Sequence, residues 1–249
     1  MTRTRSLKIA GVITAFVAII LAGMINNSKR VGARNDDDEG EESRIQRGFE
    51  IAAQIPAPFH LNLEGKNRAL VGLGSYIVNV VGDCNGCHSA GPSSEFAMGG
   101  NPYLLFPKFF TGTKEINTKT YLAGGRDFGP FPASAPANKQ ILHLYTRNLT
   151  PDKTGLPEGG HTFEDFVQIM RKGTDFDRVH PNCGAPDAPG FPNCMPLPFN
   201  GELLQVMRWP FFKDMTDHDL RAIYEYLSAI PCNPGPGVAG ADYLQNVCE

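Results

Sequence analysis

The stretch Cys84-Asn85-Gly86-Cys87-His88 places two thiols three residues apart and an imidazole directly after the second thiol. This C-x-x-C-H spacing is the attachment signature of a c-type haem. On one helical turn, each thiol can form a thioether with one haem vinyl group, and the imidazole then lies within reach of the iron. The motif occurs once in 249 residues. It therefore predicts one covalent haem c, attached at Cys84 and Cys87, with His88 as an iron ligand.

Three other interpretations of the two motif cysteines compete with haem attachment. A thioredoxin-like pair opens a helix after a strand, whereas a helical pattern precedes the cysteines here. A zinc site needs a second close pair, which Cys183 and Cys194 provide only loosely. A disulfide between Cys84 and Cys87 leaves the adjacent His88 without a role. The histidine therefore favours haem over all three.

Helical periodicity predicts an α-helical chain. Apolar residues recur at helical spacing over residues 66–81, directly before the motif, and again over 162–172 and 216–230. One or two further helical turns are predicted at 201–207. Glycine inside the first helix, at Gly74, lowers helix stability unless another backbone approaches there, so we expect a close helix crossing at this position. The 27 glycines and 20 prolines predict long irregular loops between the helices.

Two of these helices begin with the sequence of an N-terminal cap. In each, a threonine hydroxyl is followed three residues later by a carboxylate, which is the spacing of a capping box. The two pairs are Thr162 with Asp165 and Thr216 with Asp219.

The N-terminal segment, residues 1–28, has the pattern of an export signal. Its basic start precedes an uncharged apolar run of 17 residues, Ile9–Ile25, which is long for a signal peptide and barely long enough to span a membrane. A cleaved signal peptide and an uncleaved membrane anchor both fit. We therefore predict an extracytoplasmic, periplasmic protein, either released or anchored to the inner membrane.

The rest of the chain is predicted to form a linker, one haem domain and a tail. Residues 29–65 contain the acidic run 35–42 and a short amphipathic pattern, which indicate a solvated linker with a short helix. Residues 66–232 hold the haem motif and the longer helical patterns, and 233–249 form the tail. The net charge of −3 gives no indication of a nucleic-acid partner.

Four cysteines lie outside the haem motif and allow three pairings. The short loops between neighbours favour two disulfides, Cys183–Cys194 and Cys232–Cys248. Export to an oxidising compartment permits both bonds. Four buried free thiols are the alternative.

The second axial position of the iron requires a ligand from elsewhere in the chain. A methionine thioether stabilises ferrous iron, raises the reduction potential and closes the iron to substrates. Met207, in a loop before the last helix, is the preferred candidate. Met195, between Cys194 and a proline, is the alternative, and Met98 ranks last. A second histidine is also open, with candidates at His143, His161, His180 and His218.

Further patterns extend over residues 67–231. They are Ala-Gly-Gly at 123–125, Asn-Leu-Thr-Pro-Asp at 148–152, Phe-Glu-Asp-Phe at 163–166 and Leu-Arg-Ala-Ile-Tyr-Glu-Tyr-Leu at 220–227. With the haem motif and the late methionine loop, the terminal helix resembles that of class I c-type cytochromes. The other three patterns resemble, more narrowly, the single-haem domains in cytochrome subunits of periplasmic dehydrogenases. Those subunits commonly carry three such domains, whereas this chain has one haem motif.

The resemblance implies an all-α, class I cytochrome c fold with long Pro/Gly-rich loop insertions, wrapped around one haem. It implies covalent attachment at Cys84 and Cys87, and axial ligation by His88 and Met207.

Two functions follow as hypotheses. The first is an electron carrier, not itself an enzyme, that passes single electrons between a dehydrogenase and an acceptor such as an oxidase or another cytochrome, either freely or as the electron-transfer subunit. Arg126, Arg147 and Trp209 are its candidate contacts to the haem propionates. The second is a haem protein whose sixth site is open or displaceable, acting as a peroxidase or gas sensor.

Overall fold

A computed structural model describes residues 40–91, 93–103, 113–129, 142–184, 194–238 and 245–249. The chain divides by its contacts into two units, Met1–Arg44 and Ile45–Glu249. The described residues of the first unit, 40–44, are helical. The predicted export signal or anchor at 1–28 lies outside the described residues, as does the start of the predicted linker. Within the described ranges, no helix combines the length and apolar character that crossing a membrane requires.

The second unit consists of helices joined by long loops. Its elements are α1 (residues 45–52), α2 (Arg68–Tyr76), a π-helical segment (Ile77–Val81), α3 (Cys84–Cys87), α4 (Pro157–Gly160), α5 (Phe163–Lys172), α6 (Trp209–Phe212) and α7 (Asp217–Leu227). In the part of the chain that the structure describes, β-pairing is limited to isolated bridges. This composition confirms the predicted all-α class.

Helix α2 crosses α7 at Gly74, as the sequence predicts. A Cβ atom on Gly74 would lie 1.9 Å from the carbonyl oxygen of Ala222 and 2.8 Å from the Cβ atom of Tyr226. Only hydrogen fits at that distance, so the glycine permits direct backbone contact between the two helices. The side chains around the crossing form the main hydrophobic core, in which Val71, Leu73 and Leu220 are almost fully buried.

A second glycine contact joins α2 to α1. A Cβ atom on Gly48 would lie 1.8 Å from the carbonyl oxygen of Gly72, so these helices also touch through their backbones. The hydroxyl of Ser75 donates a 2.7 Å hydrogen bond to the carbonyl oxygen of Gly48. Helix α2 is therefore held by close backbone contacts to both α1 and α7.

The π-helical segment connects α2 to the haem motif and is fixed by buried hydroxyl groups. Tyr121 donates a 2.6 Å hydrogen bond to the side-chain oxygen of Asn79, and its hydroxyl lies 2.7 Å from that of Tyr226 on α7. Single π-helical turns in α-helices are often found at functional sites. Here the segment ends at Val81, three residues before the first motif cysteine.

Both predicted helix caps are present. The Thr162 hydroxyl accepts a hydrogen bond from the Asp165 backbone N–H, and Asp165 completes the capping box by accepting from the Thr162 N–H. At α7, the Thr216 hydroxyl accepts from the Asp219 N–H. The helical turn predicted at 201–207 is wrong: this stretch is irregular, and the turn is α6, where Pro210 occupies the first turn. Proline suits that position because its missing N–H would have no helical partner there.

The long loops are closed and joined to one another by disulfides and asparagine side chains. The disulfides Cys183–Cys194 and Cys232–Cys248 are both formed, with the predicted pairing. The Asn148 side chain accepts from the Thr150 N–H and donates to the Asn233 carbonyl oxygen, 2.9 Å away. The Asn-Leu-Thr pattern therefore connects a central loop to the segment that follows α7.

The close crossing at Gly74 predicts that this position does not tolerate a side chain. Gly74→Ala should lower the free energy of unfolding by about 3 kcal/mol or more, because the added methyl group displaces the Ala222 backbone, and overpacking costs about 1–3 kcal/mol even without a backbone clash. Urea denaturation measures the change. Gly40→Ala is the matched control, since open space surrounds that helical position. Equal stability of the two variants would contradict the close crossing.

Candidate haem-binding cleft

The haem motif lies on the wall of a large cleft. The cleft has about 1150 Å³ of empty space, opens to solvent, and brings together the motif, the 144–149 loop, α5, the 204–208 loop and α7. Most of the wall is apolar, including Ile77, Leu149, Phe166, Ile169, Ile223 and Leu227.

Both motif cysteines line the cleft as free thiols. Cys84 and Cys87 are unpaired, whereas the other four cysteines form the two disulfides. Burial raises the pKa of Cys84 to about 12, with smaller contributions from Asp83 and Cys87, so Cys84 is a neutral thiol at neutral pH. Two free thiols on one helical turn, facing apolar space, fit thioether attachment of a haem.

The ring of His88 is oriented by the backbone of Arg147. Its Nδ1 atom lies 2.8 Å from the Arg147 carbonyl oxygen, and since a carbonyl only accepts, Nδ1 carries the proton. The proton on Nδ1 leaves Nε2 as the nitrogen with a free lone pair. Burial lowers the pKa of His88, partly offset by this hydrogen bond, so the ring stays neutral as metal ligation requires. The histidine is therefore prepared to bind iron through Nε2.

The side chain of Arg147 is held by two carboxylates. Its guanidinium lies 2.6 Å from Asp175 and 3.1 Å from Asp177, and the Arg147 and Asp175 side chains are only 12% and 8% exposed. A buried ion pair of this kind resists displacement, because removing one partner leaves a desolvated charge. The pair fixes the residue whose carbonyl orients His88.

Gly124, in the Ala-Gly-Gly pattern, allows this arrangement. It has φ +72°, and a Cβ atom there would lie 2.5 Å from the carbonyl carbon and oxygen of Arg147. Its N–H donates a 2.9 Å hydrogen bond to the carbonyl oxygen of His88. Gly124 thus contacts both residues of the imidazole hydrogen bond, His88 and Arg147. This close packing explains why a glycine occupies this position of the Ala-Gly-Gly pattern.

Of the ligand candidates for the second axial position, Met207 lines the cleft and Met195 does not. Met195 is 1% exposed and packs with Leu142 and Leu144 in a separate small cluster, and Met98 is 97% exposed. The four alternative histidines are absent from the cleft wall. Two further methionines, Met170 and Met215, line it.

A strained turn precedes Met207. Val206 has φ +67°, which is unusual for a β-branched residue, and the Met207 N–H donates a 2.7 Å hydrogen bond to the Gln205 carbonyl oxygen across it. Backbone strain of this kind often occurs at functional positions, where it fixes the direction of a side chain.

Of the three residues predicted to contact the haem propionates, only one lines the cleft. Arg147 lines the cleft, but Arg126 and Trp209 do not. Arg126 instead donates a hydrogen bond to the Gly86 carbonyl oxygen inside the haem motif. Trp209 packs on Gly173, where a Cβ atom would lie 2.4 Å from its ring, and donates to the Leu204 carbonyl oxygen. Their contacts to a haem stay predictions.

The structure disfavours two of the competing interpretations of the motif. Cys84 and Cys87 are not joined in a disulfide, and the Cys183–Cys194 disulfide removes the second pair that a zinc site would use. No cluster of three or more candidate metal-binding carboxylates, thiols or imidazoles occurs among the described residues.

Sequence reasoning missed two charged residues at the site, Asp175 and Glu158. Asp175 gives no local signal, since it lies in a loop 28 positions after its partner Arg147. Glu158 lines the cleft from α4 with φ +53°. The Glu-Gly-Gly sequence at 158–160 is a turn signal that could have marked this segment as an unusual backbone.

Two curated proteins are similar to the chain. The cytochrome c subunit of gluconate 2-dehydrogenase from Pantoea cypripedii is 27% identical over 162 residues, which cover 64% of this chain and 23% of that protein. The cytochrome c subunit of alcohol dehydrogenase (quinone) from Gluconobacter oxydans (strain 621H) is 26% identical over 191 residues, covering 74% of this chain and 27% of that protein. The chain thus spans about a quarter of the length of these relatives. No family model and no solved structure matches it.

Both relatives are named as cytochrome c subunits of dehydrogenases, so the chain is similar to cytochrome c-like proteins. The predicted resemblance to cytochrome subunits of dehydrogenases is confirmed at this level. The class I fold, the single haem and the axial ligands stay predictions.

The Arg147 ion pair predicts a stability effect beside the cleft. Asp175→Ala should lower the free energy of unfolding by about 3 kcal/mol, the lower end of the range for breaking a buried pair, because Asp177 still faces the guanidinium. Chemical denaturation measures it. Glu50→Ala breaks the exposed Arg47–Glu50 pair and should change stability by about 0.5 kcal/mol or less. A loss for Asp175→Ala no larger than this control would show that the pair does not hold Arg147.

Proposed function

We propose that this protein is an exported c-type cytochrome that carries single electrons. One haem is attached through Cys84 and Cys87, and His88 and Met207 ligate its iron. Electrons pass by outer-sphere transfer between a dehydrogenase and an acceptor such as an oxidase or another cytochrome.

The observation that carries this proposal is the shared cleft of the motif and Met207. Two free thiols, an imidazole with Nε2 available and a thioether all line one apolar space. The single C-x-x-C-H motif supports a single haem. Similarity to two cytochrome c subunits supports the same cofactor.

The bound haem supplies an iron centre that takes up and releases one electron. His88 would bind the iron through Nε2, with its ring direction set by the Arg147 carbonyl oxygen. The thioether of Met207 would be the second ligand and would favour the reduced state. The apolar side chains of the cleft would surround most of the haem. An iron held by both residues would be closed to substrates and would exchange electrons by outer-sphere transfer.

The location and partners rest on separate observations. The N-terminal segment has the sequence of an export signal or anchor, and two disulfides suit an oxidising compartment such as the periplasm. A dehydrogenase as electron donor is proposed because both relatives are cytochrome subunits of dehydrogenases. Export fits haem attachment, which takes place outside the cytoplasm.

Intact mass spectrometry of the exported protein tests the attachment. The mature chain should carry the mass of one haem, and the pigment should remain with the protein after denaturation in acidified organic solvent. The double variant Cys84→Ser/Cys87→Ser should lose it. Pigment that is extracted from the unaltered protein, or a second haem in the mass, would contradict the proposal.

The Met207 assignment predicts both a potential and a spectrum. Met207→Ala should lower the reduction potential by on the order of 0.1 V, within the range of roughly 0.8 V that axial ligands span, and should let carbon monoxide bind the reduced iron. Redox titration and the carbon monoxide difference spectrum measure the two effects.

The matched controls are Met170→Ala and Met215→Ala, which remove the other methionines of the cleft and should leave the iron closed. If Met195→Ala opens the iron instead, the Met207 assignment is wrong. Carbon monoxide binding by the unaltered reduced protein would favour the open-site hypothesis of a peroxidase or gas sensor.

A further inference from the structure

Glu158 is a carboxylate on the wall of an otherwise mostly apolar cleft. It is partly buried, and it adopts φ +53° and ψ +44°, a left-handed conformation that is unfavourable for a residue with a side chain. Gly159 and Gly160 follow at φ +75° and φ +106°, where glycine is unstrained. Of these three residues with positive φ, Glu158 is thus the one for which this backbone conformation is unfavourable. A glycine would be the stable choice, so the strain indicates a use for the carboxyl group.

The charged groups around Glu158 offset little of the negative charge of its carboxylate. Arg147 is the cation that lowers its pKa, and the Arg147 guanidinium already binds Asp175 at 2.6 Å and Asp177 at 3.1 Å. The positive charge that acts on Glu158 is therefore already paired with two other carboxylates. Burial raises the pKa of Glu158 to about 8, Arg147 opposes this effect, and Asp177 and Asp175 add to it. The carboxyl group changes its protonation near physiological pH.

Other titratable or charged groups lie around the same segment or on the cleft wall. They are Asp83, His88, Tyr145, Asp152, His161 and Arg208.

A change of iron charge in this cleft acts on Glu158. An ionised carboxylate favours the ferric state, and reduction removes one positive charge from the same low-dielectric space. Linkage then requires that the proton affinity of the carboxylate be higher in the ferrous than in the ferric protein. Because part of Glu158 reaches solvent, protons can exchange without a long internal path.

We propose that Glu158 takes up a proton from solvent when the haem iron takes up an electron, so that this chain transfers an electron and a proton together. This inference rests on the proposed function. On reduction, the donor loses one electron, ferric iron becomes ferrous, and the Glu158 carboxylate binds one proton and becomes a carboxylic acid. On oxidation by the acceptor, the electron and the proton both leave.

The test is a redox titration of the haem-loaded protein from about pH 6 to about pH 10, a range that brackets the expected titration. In the unaltered protein the midpoint potential should fall with rising pH, because ionised Glu158 stabilises ferric iron. Midway between the ferric and ferrous pKa values of Glu158, the slope should reach about half a proton for each electron. We expect these values to differ by about one unit, which is a tenfold change in proton affinity.

Glu158→Gln replaces the acid with a neutral side chain of similar shape. Its potential should be nearly independent of pH over this range and equal to that of the unaltered protein at low pH. Glu164→Gln is the matched control, because Glu164 is exposed in the first turn of α5 and should leave the profile unchanged. A pH dependence that persists in Glu158→Gln belongs to other groups, such as the haem propionates or His161, and overturns the proposal.

Two measurements keep the proposal testable if Glu158→Gln does not accumulate. Glu158→Gly removes the carboxyl group and also the unfavourable backbone conformation, so it should have a higher melting temperature and the same flat profile. In the unaltered protein, a pH indicator in weakly buffered solution near pH 8 should report uptake of up to about half a proton per electron on reduction. No uptake would overturn the proposal while leaving the electron-carrier function intact. Absence of reversible one-electron reduction would overturn both.

Discussion

At the crossing of α2 and α7, the hydrogen atom of Gly74 is all that separates the two backbones. A methyl group in its place would lie 1.9 Å from the Ala222 carbonyl oxygen. The π-helical segment and the haem motif follow α2 directly, so the position of α2 sets where the thiols of Cys84 and Cys87 enter the cleft. The same part of α7 supplies Ile223 and Leu227 to the wall of the cleft. A shift at the crossing would therefore change the width of the cleft.

The loops complete the site with polar contacts that have little to do with helix packing. The hydrogen bond from His88 to the Arg147 carbonyl oxygen fixes the imidazole, and the Asp175 ion pair fixes Arg147. Gly124, which lies in a third loop, packs against the backbone of Arg147. Each of these contacts bridges segments that are far apart in sequence. The direction of the His88 ring, a proposed iron ligand, thus depends on contacts among three loops.

The cleft also combines two electrostatic environments. Its apolar wall favours a ligand that is neutral over most of its surface. Arg147 and Glu158 line the same space, and the Arg147 guanidinium pairs with Asp175 and Asp177 behind it. In a low-dielectric site, one added charge alters the protonation of its neighbours more than it would in water. The proposed coupling of electron and proton transfer follows from this proximity.

Local rules could be read from the sequence with good accuracy. Helix caps at Thr162 and Thr216 require only residues three positions apart, and the close crossing at Gly74 followed from the cost of glycine in a helix. Disulfide pairing followed from the short loops and the export signal. The helical turn near 201–207 was misplaced because weak periodicity does not locate so short an element, whereas the proline at 210 does.

The sequence by itself determined the C-x-x-C-H motif, the three longer helices α2, α5 and α7, and the two disulfides, because each depends on short spacings along the chain. Only the tertiary structure decided that Met207 shares the cleft with the motif while Met195 is buried elsewhere, and that Asp175 and Glu158 lie beside Arg147. The reason is physical: ligand choice and charge compensation depend on distances between loops. Irregular loops rich in glycine and proline carry no periodic signal from which such distances could be inferred.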